Sequence, residues 1–282
     1  MQKDKEIILN NGVRMPMVGF GTFKIDDAGA KTAALQAIEA GYRHIDTASY
    51  YQNEAGVGEA VRECGVPREE LFVTSKVWMT DLGYDATRKA FEASMKRFKL
   101  DYLDMYLIHW PRPLANEAWQ AMERLYDEGR IRAIGVCNYN IPLLDAFLQQ
   151  ARIKPVVNQI ELHPRLQQKE VVRYCQERQI VVEAWSPIMK GQVMEIPLLL
   201  ELGEKYGKSA AQVALRWHLQ RNVVVLPKSQ TPSRMAQNRD LFDFELTGDE
   251  MEAIALLDDN HRLGFTPEHI YAHGFTPGDK PK

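Results

Sequence analysis

Long apolar runs are what this chain of 282 residues most plainly lacks: no stretch approaches the ~20 apolar residues of a membrane span, so no membrane insertion is expected. Cysteine is scarce too. Cys64, Cys137 and Cys175 are scattered and form no Cys-x-x-Cys pair, which excludes a disulfide framework and leaves reduced, mostly buried thiols. The 7 histidines show no His-Glu-x-x-His or similar spacing, so no metal is expected. Charge of one sign is also missing. With 35 basic residues interspersed among 38 acidic ones, net −3, there is no basic field for nucleic-acid phosphates. The opening Met-Gln-Lys-Asp-Lys-Glu has no apolar signal region, and a cytoplasmic protein is expected. No Ser/Gly-rich or charge-run linker interrupts the chain, so residues 1–282 read as a single domain.

What is present is a repeating pair of patterns. Apolar runs of four to six residues, rich in Val, Ile and Leu, alternate with longer segments of helical period, as in βα units around a parallel sheet. Strands are predicted near 17–20, 43–46, 71–76, 103–108, 131–136, 156–160, 180–184 and 223–226. Helices are marked from Ala28 to Ala40 before Gly41, and from Asn53 to Cys64 before Gly65. Others run from Asp85 to Phe98, Asn116 to Glu128 and Ser209 to Gln220. Ahead of them, Asn11-Gly12 between two short apolar runs signals a tight β-hairpin. Eight strands in a chain of this length, with polar residues ending nearly every one, favour a (β/α)8 TIM barrel over a doubly wound open sheet. The N-terminal β-hairpin is expected to plug the barrel bottom.

Three successive strands end on chemistry. Asp46 closes one, Lys76 the next and His109 the third, while Tyr51 follows Asp46 by five residues. In a parallel barrel those ends share one rim. A tyrosine hydroxyl has an unperturbed pKa of about 10, and a nearby ammonium such as Lys76 lowers it. Asp46 would keep Lys76 charged, and His109 could donate to a substrate oxygen. Together they would give a proton to a carbonyl oxygen as negative charge develops there. No activated Ser or Cys nucleophile is evident, and hydride from a nicotinamide cofactor would complete the reaction. Each residue alone has a plainer reading: a rim ion pair, a helix cap, packing or a buried histidine. Their joint occurrence carries the argument.

The same residues carry a family resemblance. Gly41-Tyr-Arg-His-Ile-Asp-Thr-Ala-Ser-Tyr-Tyr51, Val73-Thr-Ser-Lys-Val-Trp78, Leu103-Asp-Met-Tyr-Leu-Ile-His-Trp-Pro111, Ile134-Gly-Val-Cys-Asn138, Val157-Asn-Gln-Ile-Glu-Leu-His-Pro164 and Leu226-Pro-Lys-Ser229 occur in that order. From about residue 8 to 265 the chain resembles the aldo-keto reductase superfamily, and in particular the compact microbial diketogluconate and methylglyoxal reductases. The resemblance implies NADPH extended across the carboxyl face, with Asp46, Tyr51, Lys76 and His109 as the catalytic tetrad and Tyr51 as proton donor to a carbonyl that receives the 4-pro-R hydride.

It further implies that Gly21, Thr22 and Asp46 border the cofactor, that Asn138 and Gln159 hold the nicotinamide carboxamide, and that Trp185 stacks on the ring. Ser186 and Pro187 would cover the pyrophosphate. Lys228, Ser229 and Arg234 would take the 2′-phosphate, favouring NADPH over NADH, and Gln237 and Asn238 would face the adenine. Phe23, Tyr50, Trp78, Trp110 and Met189 would line the substrate pocket with His109. Cys137 stands where serine is common and Met79 where asparagine often follows Trp78. The short segment after His109 and the short tail after Leu263 imply an open pocket, with His269, Tyr271 and Phe275 as the tail residues that could fold over the rim. Gly19-Phe-Gly21 is similar to the opening of a dinucleotide fingerprint but lacks its third glycine.

The leading expectation is an NADPH-dependent monomeric enzyme acting on small-molecule carbonyls. The alternatives are an NADPH-binding regulatory or scaffold subunit with little turnover and, by fold analogy alone, a metal-assisted barrel hydrolase.

Overall fold

Strands form where the apolar runs lie, because both faces of a barrel strand are covered and neither needs polar residues. The computed structural model describes residues 5–275. A two-stranded hairpin, β1 (Glu6–Ile8) and β2 (Arg14–Pro16), precedes β3 (Gly19–Gly21), α1 (Asp27–Glu39), β4 (His44–Asp46) and α2 (Glu54–Glu63). Then come β5 (Phe72–Val77), α3 (Tyr84–Phe98), β6 (Leu103–Ile108), α4 (Ala115–Asp127), β7 (Ile131–Cys137) and α5 (Ile141–Leu148). The series continues with β8 (Val157–Glu161), α6 (Lys169–Glu177), β9 (Val181–Trp185), α7 (Pro197–Tyr206), α8 (Ala210–Gln220) and β10 (Val224–Leu226). It ends with α9 (Pro232–Arg239), α10 (Gly248–Ala255) and α11 (Pro267–His273).

Strands β3 to β10 pair in chain order, each parallel to the next. The ring closes where Val18 bridges Val225 in parallel, Val225 N donates to the Met17 carbonyl (3.0 Å) and Gly21 N to the Pro227 carbonyl (3.2 Å). The result is a (β/α)8 barrel. Alternate side chains divide the strands between two cores. Val73 and Val77 of β5 face the helical layer, while Phe72 of the same strand joins Met105, Leu107 and Val157 inside the ring.

The hairpin plugs the amino-terminal mouth. Leu9 and Met15 are buried in the inner cluster, Asn10 Nδ2 donates to the Pro155 carbonyl (3.0 Å), and Asn11 Nδ2 donates to the Arg132 carbonyl (3.0 Å). Its turn differs from the two-residue form that Asn-Gly suggests. The loop is Asn10-Asn11-Gly12, Gly12 N donates to the Leu9 carbonyl (2.9 Å), and of the three only Gly12 has positive φ (+84°). A type I′ turn needs positive φ at both central residues, so a three-residue loop with a left-handed glycine forms instead.

Helix ends follow local signals in part. Asp26 caps α1 by accepting from Gly29 N (2.7 Å), and Ser209 with Gln212 forms a capping box on α8. Asp85 lies inside the first turn of α3 and does not cap it. Asn116 lies inside α4, where its amide instead donates to Gln150 Oε1 (2.7 Å).

Candidate active site

Tyr51 owes its place to a short turn clamped at both ends. It closes the 3-10 turn Ser49–Tyr51 that follows β4, and Ser49 Oγ donates to the carbonyl of Lys76 on β5 (3.0 Å). Beyond the turn, buried Asn53 donates to the carbonyls of Thr22 (3.0 Å) and Ile25 (2.9 Å) and accepts from Thr47 Oγ1 (2.5 Å). Asn53 precedes α2, but its side chain makes no cap bond to that helix.

Lys76 is fully buried. Its ammonium donates to both Asp46 oxygens (2.6 and 2.8 Å) and to the Thr47 carbonyl (2.9 Å), and lies 5.1 Å from the centre of the Tyr51 ring. Burial works against the charge. The Asp46 carboxylate, by charge and hydrogen bonding and with Tyr51 and Cys137 added, more than offsets it, and the lysine is held above its ordinary 10.5.

For Tyr51 the balance falls the other way from the sequence expectation. Burial raises its hydroxyl above the ordinary 10.0; Lys76 pulls it down by charge and hydrogen bonding but does not overcome burial, and Asp46 adds to the rise. The phenol is protonated at neutral pH. His109, directly after β6, has its ring 5.5 Å from that of Tyr51. Burial and then the charge of Lys76 press it well below 6.5, so the imidazole is neutral, and its Nδ1 has no hydrogen-bond partner among the described residues.

Aromatic rings wall the same space. Tyr50 stacks on Trp78 (3.8 Å between centroids, 17° between planes), Trp78 meets His109 edge-on (5.0 Å), and Phe23 lies 4.9 Å from Tyr51. Trp110, next to His109, is half-buried. The tail covers more of this wall than an open pocket implies. Arg112 Nη1 donates to the carbonyls of Ile270 (2.9 Å) and Tyr271 (2.8 Å), and Phe275 stands edge-on to Tyr50 (6.0 Å) and Trp78 (6.2 Å). His269 stacks on Phe265 (5.5 Å).

The residues expected at a cofactor lie along the rim from β7 round to β3. Gly21 ends β3, and Thr22 Oγ1 donates to the Asp46 carbonyl (2.9 Å). Asn138, in the left-handed region (φ +62°), donates to the His109 carbonyl (3.0 Å) and accepts from the Trp185 indole (2.8 Å). Gln159 is buried on β8, and Ser186 and Pro187 follow Trp185 at the end of β9. Lys228 and Arg234 are exposed, and neither forms an ion pair with a described residue. Ser229 Oγ accepts from Thr231 N (3.0 Å) at the start of α9.

Two expected residues stand apart. Met189 is fully buried with Val193, Leu199, Val213 and Trp217, because the chain turns sharply after Ser186 (φ +54°) and carries it into the helical layer. Asn238 lies on the buried face of α9 with Met235, whereas Gln237 is exposed. Cys137 is buried inside the barrel with Leu107 and Val157. Two buried residues beneath the rim, His44 and Glu183, escaped the sequence reading. A single acidic residue inside the apolar run Ile180-Val-Val-Glu-Ala184 was the available signal.

A model of the Aldo/keto reductase family matches residues 17–259. The chain belongs to that family. Glyoxal reductase of Bacillus subtilis (strain 168) is 50% identical to this aldo/keto reductase over 264 residues, 93% of this chain and 96% of the relative. Methylglyoxal reductase DkgA of Escherichia coli (strain K12) is 44% identical over 269 residues, 94% and 97% of the two chains. The crystal structure of Bombyx mori aldo-keto reductase in complex with NADP superposes with a TM-score of 0.90 at 38% identity, covering 95% of this chain and 97% of that one. None of these relatives supports a scaffold role for this aldo/keto reductase.

Proposed function

We propose that this aldo/keto reductase is an NADPH-dependent oxidoreductase that reduces aldehydes and activated ketones, dicarbonyl or sugar-derived, to alcohols. The observation that carries the reading is the buried Lys76–Asp46 ion pair set beside Tyr51, with neutral His109 next to both. The names of the glyoxal and methylglyoxal reductases support a 1,2-dicarbonyl as the preferred substrate class.

The residues fit such a cofactor. Lys228 and Arg234 are two exposed cations without a carboxylate partner among the described residues, suited to a 2′-phosphate with Ser229 beside them. Trp185 offers a half-buried indole for stacking. Bound NADPH supplies the hydride to the carbonyl carbon. His109 donates a hydrogen bond to the carbonyl oxygen and orients it. Tyr51, a phenol kept neutral by burial, gives its proton only as that oxygen becomes an alkoxide and far more basic than phenolate. Lys76 then stabilises the phenolate, and Asp46 keeps the ammonium charged.

The reading extends to one barrel domain over residues 1–282, working as a monomer in the cytoplasm; free cysteines at 64, 137 and 175 suit a reducing compartment. The test is NADPH oxidation with methylglyoxal and a panel of aldehydes. Turnover that collapses in Tyr51→Phe supports the reading. Tight NADPH binding without turnover on any carbonyl would instead favour a regulatory subunit.

A further inference from the structure

Beneath the rim, two carboxyl groups share one amide nitrogen. Gln159 Nε2 donates to Asp46 Oδ2 (3.0 Å) and to Glu183 Oε2 (2.6 Å), which uses both of its protons. Reversing the amide would set its oxygen against the Asp46 carboxylate and against Glu183 Oε2, both of which act as acceptors here, so the orientation is fixed. Gln159 Oε1 accepts from no described residue and is left as an acceptor. Asn138 is fixed in the complementary sense: its Oδ1 is taken by the Trp185 indole and one Nδ2 proton by the His109 carbonyl, which leaves one donor. One acceptor and one donor match the two ends of a primary carboxamide.

Glu183 completes this arrangement and has no cation of its own. It is fully buried; its Oε1 lacks any hydrogen-bond partner among the described residues and faces His44 Nε2 at 3.8 Å. That imidazole nitrogen is itself bonded to Thr74 Oγ1 (3.1 Å). The one ammonium nearby, Lys76, is spent on Asp46 and Thr47. The charged and titratable groups around Glu183 are therefore Asp46 and His44 from β4, Lys76 from β5 and Cys137 from β7, and none neutralises it by contact. An unpaired carboxylate in such a place is strongly disfavoured.

We propose that Glu183 is a positioning residue: a neutral carboxyl that, by accepting from Gln159, fixes which end of that amide meets the nicotinamide carboxamide. The inference rests on the cofactor reading above. Burial, with the Asp46 charge added, pushes the Glu183 carboxyl up to about 8, against the bond from Gln159 and the attraction of Lys76. Burial pushes His44 down to about 3, so the imidazole offers no charge in exchange. Glutamine at this position would reproduce the neutral acid, whereas leucine would remove the acceptor and release Gln159.

Two measurements test this. In the cofactor-free protein at pH 7, the infrared spectrum of the wild type minus that of Glu183→Gln contains the carbonyl band of a protonated carboxyl, and the band fades as the pH passes about 8. In NADPH titrations followed by tryptophan fluorescence, Glu183→Leu binds about tenfold more weakly, the loss of one strong hydrogen bond, and Glu183→Gln restores the wild-type affinity. A missing band at pH 7, a Glu183→Gln protein as weak as Glu183→Leu, or a Glu183→Leu protein as tight as the wild type would each overturn the proposal. If Glu183→Leu does not fold, the infrared difference and the affinity of Glu183→Gln decide it. A wild-type protein that binds no NADPH defeats the cofactor reading instead, and the infrared result still reports on Glu183.

Discussion

Followed from its amino to its carboxyl end, each of three barrel strands changes character on its inner face. Strand β5 passes from Phe72 through Thr74 to Lys76, β8 from Val157 to Gln159, and β9 from Val181 to Glu183. At the amino end Leu9 and Met15 of the hairpin seal an apolar cluster; at the carboxyl end the inner residues are polar and hydrogen-bonded to one another. One end can supply stability without chemistry. The other holds chemistry in groups that are tolerable only while paired.

Substitutions at the two ends should therefore fail differently. The largest effect is expected for Tyr51→Phe, which removes the proton donor and lowers kcat/KM by roughly a thousandfold, within the range of general acid catalysis, while the melting temperature is unchanged. Lys76→Met blurs the division. It leaves Asp46 buried and unpaired, and should cost about 3–5 kcal/mol of stability in denaturant titration as well as the turnover. Met15→Ala at the plugged end should cost about 2–5 kcal/mol with turnover per folded molecule retained, and a comparable loss of kcat would show that the ends are not separable. A smaller effect falls outside the ring altogether: Lys228→Ala should weaken NADPH binding about tenfold and leave NADH binding unchanged.

The histidines give the pH dependence. His44 is pushed down to about 3, and His109 and His218 well below 6.5, by burial first in each case. All three are neutral when folded, and an unfolded chain takes up their protons first. Their contribution is present above pH 6.5 and is lost as the pH falls towards 3. Glu183, raised to about 8, acts in the opposite sense but is one group against three. Melting temperatures should fall from pH 7 to pH 5, and a rise would contradict the neutral assignments.

Much of this was legible because barrel strands bury both faces. The runs at 103–108 and 131–136, apolar but for Asp104 and Arg132, coincide with β6 and β7 to within a residue. Helix α6 was not marked, since its first turn is preceded by Gln168 in the left-handed region with no side-chain cap. Asp46, Tyr51, Lys76 and His109 could be named from their places at strand ends. The acidity of Tyr51 could not, because it depends on burial set by residues far away in the chain. Glu183 was missed for a related reason: an isolated acid in an apolar run shows its partner, Gln159, only once β8 and β9 lie side by side.

The guanidinium of Arg112 is the single hydrogen-bonded tie described between the segment leaving β6 and α11. A lineage could therefore vary the segment from Pro267 to Phe275, and with it the ring that Phe275 sets against Tyr50 and Trp78, because its ties run to Arg112 and Asn140 on rim loops and not to a barrel strand. Which aldehydes are admitted can drift in evolution while the machinery that reduces them stays fixed.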